Sequence, residues 1–140
     1  MATRYLLDTN TASYVIKGNF PSVRERLQKT PPAEVAISVI TEAELRFGVL
    51  RLPDAKRLAT VVEEFLRFVD ILPWDSSSAY QYAQLRASLE QDGRPMGNLD
   101  LMIAAHSLAL DAVLVSSDRV FRRVKNLKVE DWARSELRRF

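Results

Sequence analysis

Four acids stand out by where they fall. Asp8 follows the apolar run Tyr5-Leu6-Leu7 directly, and Asp118 comes three residues after Val113-Leu114-Val115. Glu44 lies early in the helical pattern that follows the β-branched run Val35-Ala36-Ile37-Ser38-Val39-Ile40, and Asp100 opens the most apolar stretch of the chain. Four carboxylates brought together repel one another, so they either take up protons or hold a hard cation. An all-oxygen set suits Mg²⁺ or Mn²⁺, whereas zinc recruits His or Cys. The chain has no Cys, and its single His, His106, is six residues from Asp100. On a helix that is about 240° around the axis, so His106 faces elsewhere.

Each acid also has a plainer reading. Asp8 is a good N-cap for the helix after it. Asp100 complements a helix dipole. Asp118, in Ser116-Ser117-Asp118-Arg119, suits a turn or a cap. Glu42 and Glu44 compete for the same helix. Glu42 has Arg46 one turn later, an ordinary surface pair, while Glu44 has Gly48 one turn later, where bare backbone leaves room for a close neighbour. Glu44 is therefore the candidate and Glu42 a solvated charge.

The elements that must position these acids alternate. Tyr5-Leu6-Leu7 reads as a short buried strand, and a helix from Thr9 or Thr11 to about Lys17 ends at Gly18-Asn19. Pro21 starts a second helix, PSVRERLQK, which Pro31-Pro32 breaks. Val35 to Ile40 is the second strand, Thr41 caps the helix TEAELRFGVLRL, and Pro53 closes it. Asp54 begins a helix with Leu58, Val61, Val62 and Phe65 at a period near 3.6. Asp70 to Trp74 is a third strand whose proline marks an edge or an end. Ser76 to about Gln91 is helical, DGRPMGNLD is a turn region, and Leu99 to Ala109 is a buried helix. Ala112 to Val115 is a fourth strand, RVFRRV a short basic helix, and Lys128-Val129 a last strand. This alternation predicts an α/β fold, a three-layer α/β/α sandwich around a mainly parallel sheet. In such sheets the site lies beyond the carboxyl ends of the strands, where these acids fall.

The 140 residues fit one domain spanning 1–140, and 47% hydrophobic content supports a real core. No run of roughly 18 apolar residues is present, so no membrane span is expected. MATRYLLDTN lacks the apolar region of a signal peptide, and the absence of Cys fits a cytoplasmic protein. The net charge of +2 permits an anionic partner, and its distribution is uneven. Arg119, Arg122, Arg123, Lys125, Lys128, Arg134, Arg138 and Arg139 crowd the C-terminal part.

Together the stretches LLDTN, ISVITEAELRFG, GRPMGNLDLMIAA and VLVSSDRVF resemble the successive motifs of PIN-domain ribonucleases, in particular the VapC-type toxins of bacterial toxin–antitoxin pairs. The resemblance runs in order from about residue 4 to about Trp132. It implies a PIN-like fold and places the family's metal-holding, catalytic acids on Asp8, Glu44, Asp100 and Asp118. Ser116 stands where a Thr is usual and keeps the hydroxyl. Asn10 matches a polar residue that orients the first acid or bound water, and Thr9 joins it as a supporting residue.

The activity implied is Mg²⁺- or Mn²⁺-dependent hydrolysis of RNA phosphodiesters, with transfer RNA, and in this branch the initiator transfer RNA, as the substrate whose loss inhibits translation. Arg94 and Arg119, Arg122 or Arg123 are then candidates for phosphate contacts. The implied partners are a VapB-type antitoxin that lays a helix or extended segment over the toxin, and a second copy in a homodimer. Two rivals remain. An aspartyl phosphatase on a similar sheet places a second Asp two residues after the first, where this chain has Asn10. A non-catalytic protein-binding module would use the acids as caps and bind no metal.

Overall fold

A computed structural model describes residues 4–134; Arg138 and Arg139 of the basic C-terminal group lie outside them. The element order is β1 (Tyr5–Leu7), α1 (Thr9–Lys17), α2 (Pro21–Lys29), a 3₁₀ turn (Pro32–Glu34), β2 (Val35–Ser38), α3 (Val39–Leu50), α4 (Lys56–Phe68), β3 (Asp70–Leu72), α5 (Ser76–Gln91), α6 (Asn98–Leu110), β4 (Val113–Val115), a 3₁₀ helix (Arg119–Arg123) and β5 (Val129–Glu130). The five strands form one parallel sheet in the order β3-β2-β1-β4-β5. The chain leaves β1 towards one edge through β2 and β3, then returns to add β4 and β5 on the other side. The crevice between β1 and β4 is therefore the topological switch point, where open α/β sheets bind ligands.

Strands this short hold because they are buried on both faces. Leu7 pairs in register with Ile37 and Val115, and all three point into one core together with Ala12, Val23, Leu45, Val62 and Phe65 of α1 to α4. Leu114 points to the opposite face and meets Leu101, Ile103 and Ala104 of α6 and Leu89 of α5. This period of two puts helices on both sides and makes three layers. Fully burying one Leu or Ile contributes about 1.5–3 kcal/mol, so three-residue strands suffice when both faces are covered. In α6 the small residues Ala104 and Ala105 have no exposed surface, which lets that helix lie close on the sheet.

The order and type of the elements match the sequence expectation, and several boundaries do not. The second strand ends at Ser38, not Ile40, and α3 starts at Val39. Its cap is Ser38, whose Oγ accepts from the Ile40 amide at 3.1 Å, not Thr41. The neighbouring strand explains this. Ser38 pairs with Leu72, the last residue of β3, and Pro73 follows with no amide hydrogen to extend the ladder. Once Ser38 caps the helix, tertiary context overrides the strand preference of Val39 and Ile40. The next helix, α4, starts at Lys56, because Asp54 sits in the left-handed region at φ 58°. The third strand stops at Leu72, two residues short of Trp74, and β3 is an edge strand, as the proline suggested. Leu99 is half exposed, so the buried face of α6 begins with Leu101.

α1 shows how local chemistry sets its ends. Asp8 accepts from the Thr11 amide at its start. Gly18 ends it in the left-handed conformation at φ 69°, and its amide donates to the Tyr14 carbonyl at 3.0 Å. Among the described residues no helix is long and apolar enough to cross a membrane.

Candidate active site

Asp8 and Ser116 stand side by side at the switch point. Leu7 is in register with Val115, and the Asp8 amide donates to the Val115 carbonyl at 3.0 Å. The Asp8 carboxylate is 5% exposed and accepts from the Thr11 amide at 2.8 Å. Thr11 in turn donates its hydroxyl to the Val115 carbonyl at 3.1 Å, tying the start of α1 to β4. Burial pushes the Asp8 carboxyl above its ordinary value, the Ser116 and Thr11 donors draw it back in part, and Asp118 raises it again by repulsion.

Ser116 is buried, and its hydroxyl serves two acids. It accepts from the Asp118 amide at 3.0 Å, and of the donors near Asp8 it draws that carboxyl down most. Asp118 is exposed and caps the 3₁₀ helix through the Val120 amide at 2.9 Å. The cap reading holds for Asp118, as it does for Asp8, and leaves both at the crevice edge.

Asp100 lies in the first turn of α6 and is partly buried. Burial raises its carboxyl above the ordinary value, and Asp118, Glu44 and Asp8, in that order, raise it further. Asp100 thus feels the other three candidate acids and Asp8 feels Asp118, and no basic side chain is among the groups that shift Asp8 or Asp100. Glu44 falls in the second turn of α3. Its Oε1 accepts from the Thr9 hydroxyl at 2.6 Å, and Thr9 also lies 3.3 Å from the Thr41 hydroxyl. Thr9 therefore supports Glu44 and not Asp8. Asn10 is exposed on α1 and lines the cleft in front of Glu44. Glu42 is paired with Arg46 at 2.9 Å, and Arg46 also binds Glu63 at 2.6 Å, which removes Glu42 from the site as expected.

Three of the four carboxylates are turned towards local donors: Asp8 to Thr11, Glu44 to Thr9, Asp118 to Val120. As placed, no group of three His, Cys or acidic side chains among the described residues could hold a metal ion. The donor chemistry nevertheless fits a hard divalent cation. The set is all oxygen, and a cation would offset both the burial and the acid–acid repulsion that raise Asp8 and Asp100.

The basic candidates divide. Arg119 and Arg122 are exposed and line, with Ser116, Asp118 and Arg134, a recess of about 420 Å³ beside the acids. Arg123 is committed to structure, donating to the Pro95 carbonyl at 2.7 Å. That bond and the buried side chain of Met96 anchor the loop before α6, which carries exposed Arg94. His106 faces away from the acids, as its spacing predicted, and its Nδ1 lies 2.8 Å from the buried Ser38 hydroxyl.

A larger cleft of about 840 Å³ opens from Asn10 and Glu44 along α1, α3 and α4. Its walls include Phe47, Leu52 and Leu99, which are 65%, 46% and 49% exposed, and Leu50 beside them is 84% exposed. The apolar faces after β1 and β2 thus serve as core on one side and leave an open apolar strip on the other. Sequence reasoning missed Thr11. The signal was present in DTNT, where an acid three residues before a polar amide donor is a capping pattern.

Residues 5–127 match the family model described as PIN domain. The tRNA(fMet)-specific endonuclease VapC of Shigella flexneri is 36% identical over 131 residues, covering 93% of this chain and 98% of that protein. Ribonuclease VapC2 of Rickettsia felis is 35% identical over 130 residues, covering 91% and 97%. Among solved structures, the DNA-bound VapBC of Salmonella typhimurium aligns at a TM-score of 0.88 and 34% identity, covering 94% of this chain and 99% of that one.

Proposed function

The chain belongs to the PIN-domain family, and from that premise we propose that it is a VapC-type endoribonuclease toxin, dependent on Mg²⁺ or Mn²⁺, cutting transfer RNA and neutralised by a VapB-type antitoxin. The observation that carries the reading is the placement of Asp8 and Asp118 at the β1–β4 switch point, close enough to Asp100 that they and Glu44 raise its carboxyl beyond the effect of burial. In this reading those acids hold the cation, Asp118 directly or through water. A divalent ion bound there supplies Lewis acidity towards a phosphodiester and activates water.

The chain's own residues do the positioning. Ser116 holds Asp8 and the Asp118 backbone in one arrangement, and Thr9 fixes Glu44. Neither the Ser116 hydroxyl nor His106 is free to act as a nucleophile or base. The first is committed on both sides, and the second is buried against Ser38. Water activated by the cation is the nucleophile in this reading. Arg119, Arg122 and Arg94 present cations to RNA phosphates on either side of the acids, held in place by the Arg123–Pro95 bond. The Shigella relative is named for tRNA(fMet), which makes the initiator transfer RNA the first substrate to try.

The open apolar strip of Phe47, Leu50, Leu52 and Leu99 suits an amphipathic antitoxin segment, with a basic side chain reaching the acids at the cleft's end. Related solved structures are VapBC complexes. A homodimer and a cytoplasmic location complete the reading. The test uses antitoxin-free protein with initiator and elongator transfer RNAs in Mg²⁺, Mn²⁺ or chelator. Cleavage with metal and none in chelator is expected, with the initiator species preferred. No cleavage with either metal, or equal cleavage in chelator, would overturn the proposal.

A further inference from the structure

We propose that His106 is a positioning residue: its buried hydrogen bond with Ser38 sets the separation of the two helices that carry Glu44 and Asp100. This role rests on the four acids being the cation site. Ser38 is the last residue of β2 and the N-cap of α3, with no exposed surface. Its Oγ accepts from the Ile40 amide at 3.1 Å and lies 2.8 Å from His106 Nδ1. The Ser38 hydroxyl has one proton, and the Ile40 amide already occupies one lone pair. The contact is one hydrogen bond in either tautomer: Ser38 donates to a neutral Nδ1, or accepts from Nδ1–H through its second lone pair. Nε2 is buried with no hydrogen-bond partner among the described residues. Burial lowers the basicity of the ring, and Asp75, the N-cap of α5, is the charged group that acts on it in the other direction.

The lever arms are what make this bond matter. Glu44 lies six residues beyond Ser38 on α3, and Asp100 lies six residues before His106 on α6. Each acid is therefore about 9 Å along its helix from the pinned pair. A tilt of about 10° at Ser38 would move the Glu44 backbone by roughly 1.6 Å over that arm. Metal sites tolerate ligand distances only within about 0.2 Å. The pair is the one polar side-chain bond between α6 and the β2–α3 junction among the described residues, so it sets that angle where apolar packing alone would allow sliding.

The test compares three variants of antitoxin-free protein by Mn²⁺ titration without RNA, by RNA cleavage and by thermal melting. His106→Leu removes the ring's hydrogen bond at similar bulk. His106→Asn keeps an acceptor near the Nδ1 position. Ser38→Ala removes the bond from the other side and serves if His106→Leu fails to fold. At a temperature where all are folded, His106→Leu and Ser38→Ala are expected to bind Mn²⁺ about 10-fold more weakly, the loss typical of removing a group that orients ligands. Their kcat falls while KM for RNA stays, and His106→Asn recovers to within about 3-fold. Wild-type Mn²⁺ affinity in both folded variants, or equal losses in His106→Asn and His106→Leu, overturns the proposal. Wild-type protein that binds no Mn²⁺ instead overturns the site reading on which it rests.

Discussion

Asp8 is both a helix cap and a candidate ligand, and two substitutions separate these roles. Asn caps a helix about as well as Asp, whereas Ala does not. The cap is the 2.8 Å bond from the Thr11 amide. Its loss in Asp8→Ala costs about 1 kcal/mol (range about 0.5–2), or roughly 3–5 °C in Tm for a domain of this size. Asp8→Asn keeps that bond and removes a carboxylate that is 5% exposed and repelled by Asp118. In chelator, Asp8→Asn is therefore expected to melt at or above the wild-type temperature, with Asp8→Ala about 3–5 °C below Asp8→Asn. With Mn²⁺ at about 100 times its Kd, wild type gains about 2.7 kcal/mol, or roughly 8–14 °C, and neither variant gains it. Scanning calorimetry with and without chelator reads all of this in one series, and cleavage assays on the same samples should show activity lost in both variants. An Asp8→Asn protein that melts as low as Asp8→Ala would refute the cap argument. One that keeps the Mn²⁺-linked rise would refute the ligand argument.

The raised carboxyls of Asp8 and Asp100 fix the sign of a pH effect. Both bind protons more tightly folded than unfolded, so their contribution to stability is full below the ordinary value of 3.8 and is lost as pH rises through the raised values. In chelator, the Tm advantage of Asp100→Asn over wild type should accordingly grow as pH rises from about 3.8 towards neutrality; a flat difference would mean that neither burial nor the neighbouring acids raise Asp100. Arg119→Gln with Arg122→Gln should raise KM for RNA, leave kcat within about 3-fold and flatten the salt dependence by about 0.7–0.9 for each phosphate no longer neutralised; an unchanged salt slope removes these residues from the RNA track. Phe47→Asp or Leu50→Asp should abolish antitoxin binding in a pull-down of the cognate pair and leave cleavage intact, since both side chains are largely exposed. Retained binding in both would move the antitoxin to another face.

The alternation of elements was legible because the strands are short apolar or β-branched runs and strong breakers close several elements: Gly18 ends α1, Pro31-Pro32 follow α2 and Pro73 follows β3. The start of α3 was not legible, since Val39 and Ile40 read as strand and only the short partner strand stops the ladder at Ser38. Asp8, Asp100 and Asp118 could be placed at one edge because parallel strands must end there. Their supporting bonds could not. Thr9 reaches Glu44 across 35 positions of sequence and Thr11 reaches Val115 across 104, and nothing local encodes those meetings. Arg123 was indistinguishable from Arg122 by sequence, although one holds Pro95 and the other lines the recess. His106 was excluded as a ligand by spacing alone, and its bond to Ser38 required the fold.

The central claim is that Asp8, Glu44, Asp100 and Asp118 close on one divalent cation although three of them are turned to local donors in the structure. Anomalous diffraction from crystals of the protein grown with Mn²⁺ tests it directly. The expected result is a single strong peak in the crevice between β1 and β4, within about 2.0–2.4 Å of carboxylate oxygens of Asp8 and Asp100, with Glu44 turned away from Thr9. A peak outside that crevice, or none at saturating Mn²⁺, would contradict it.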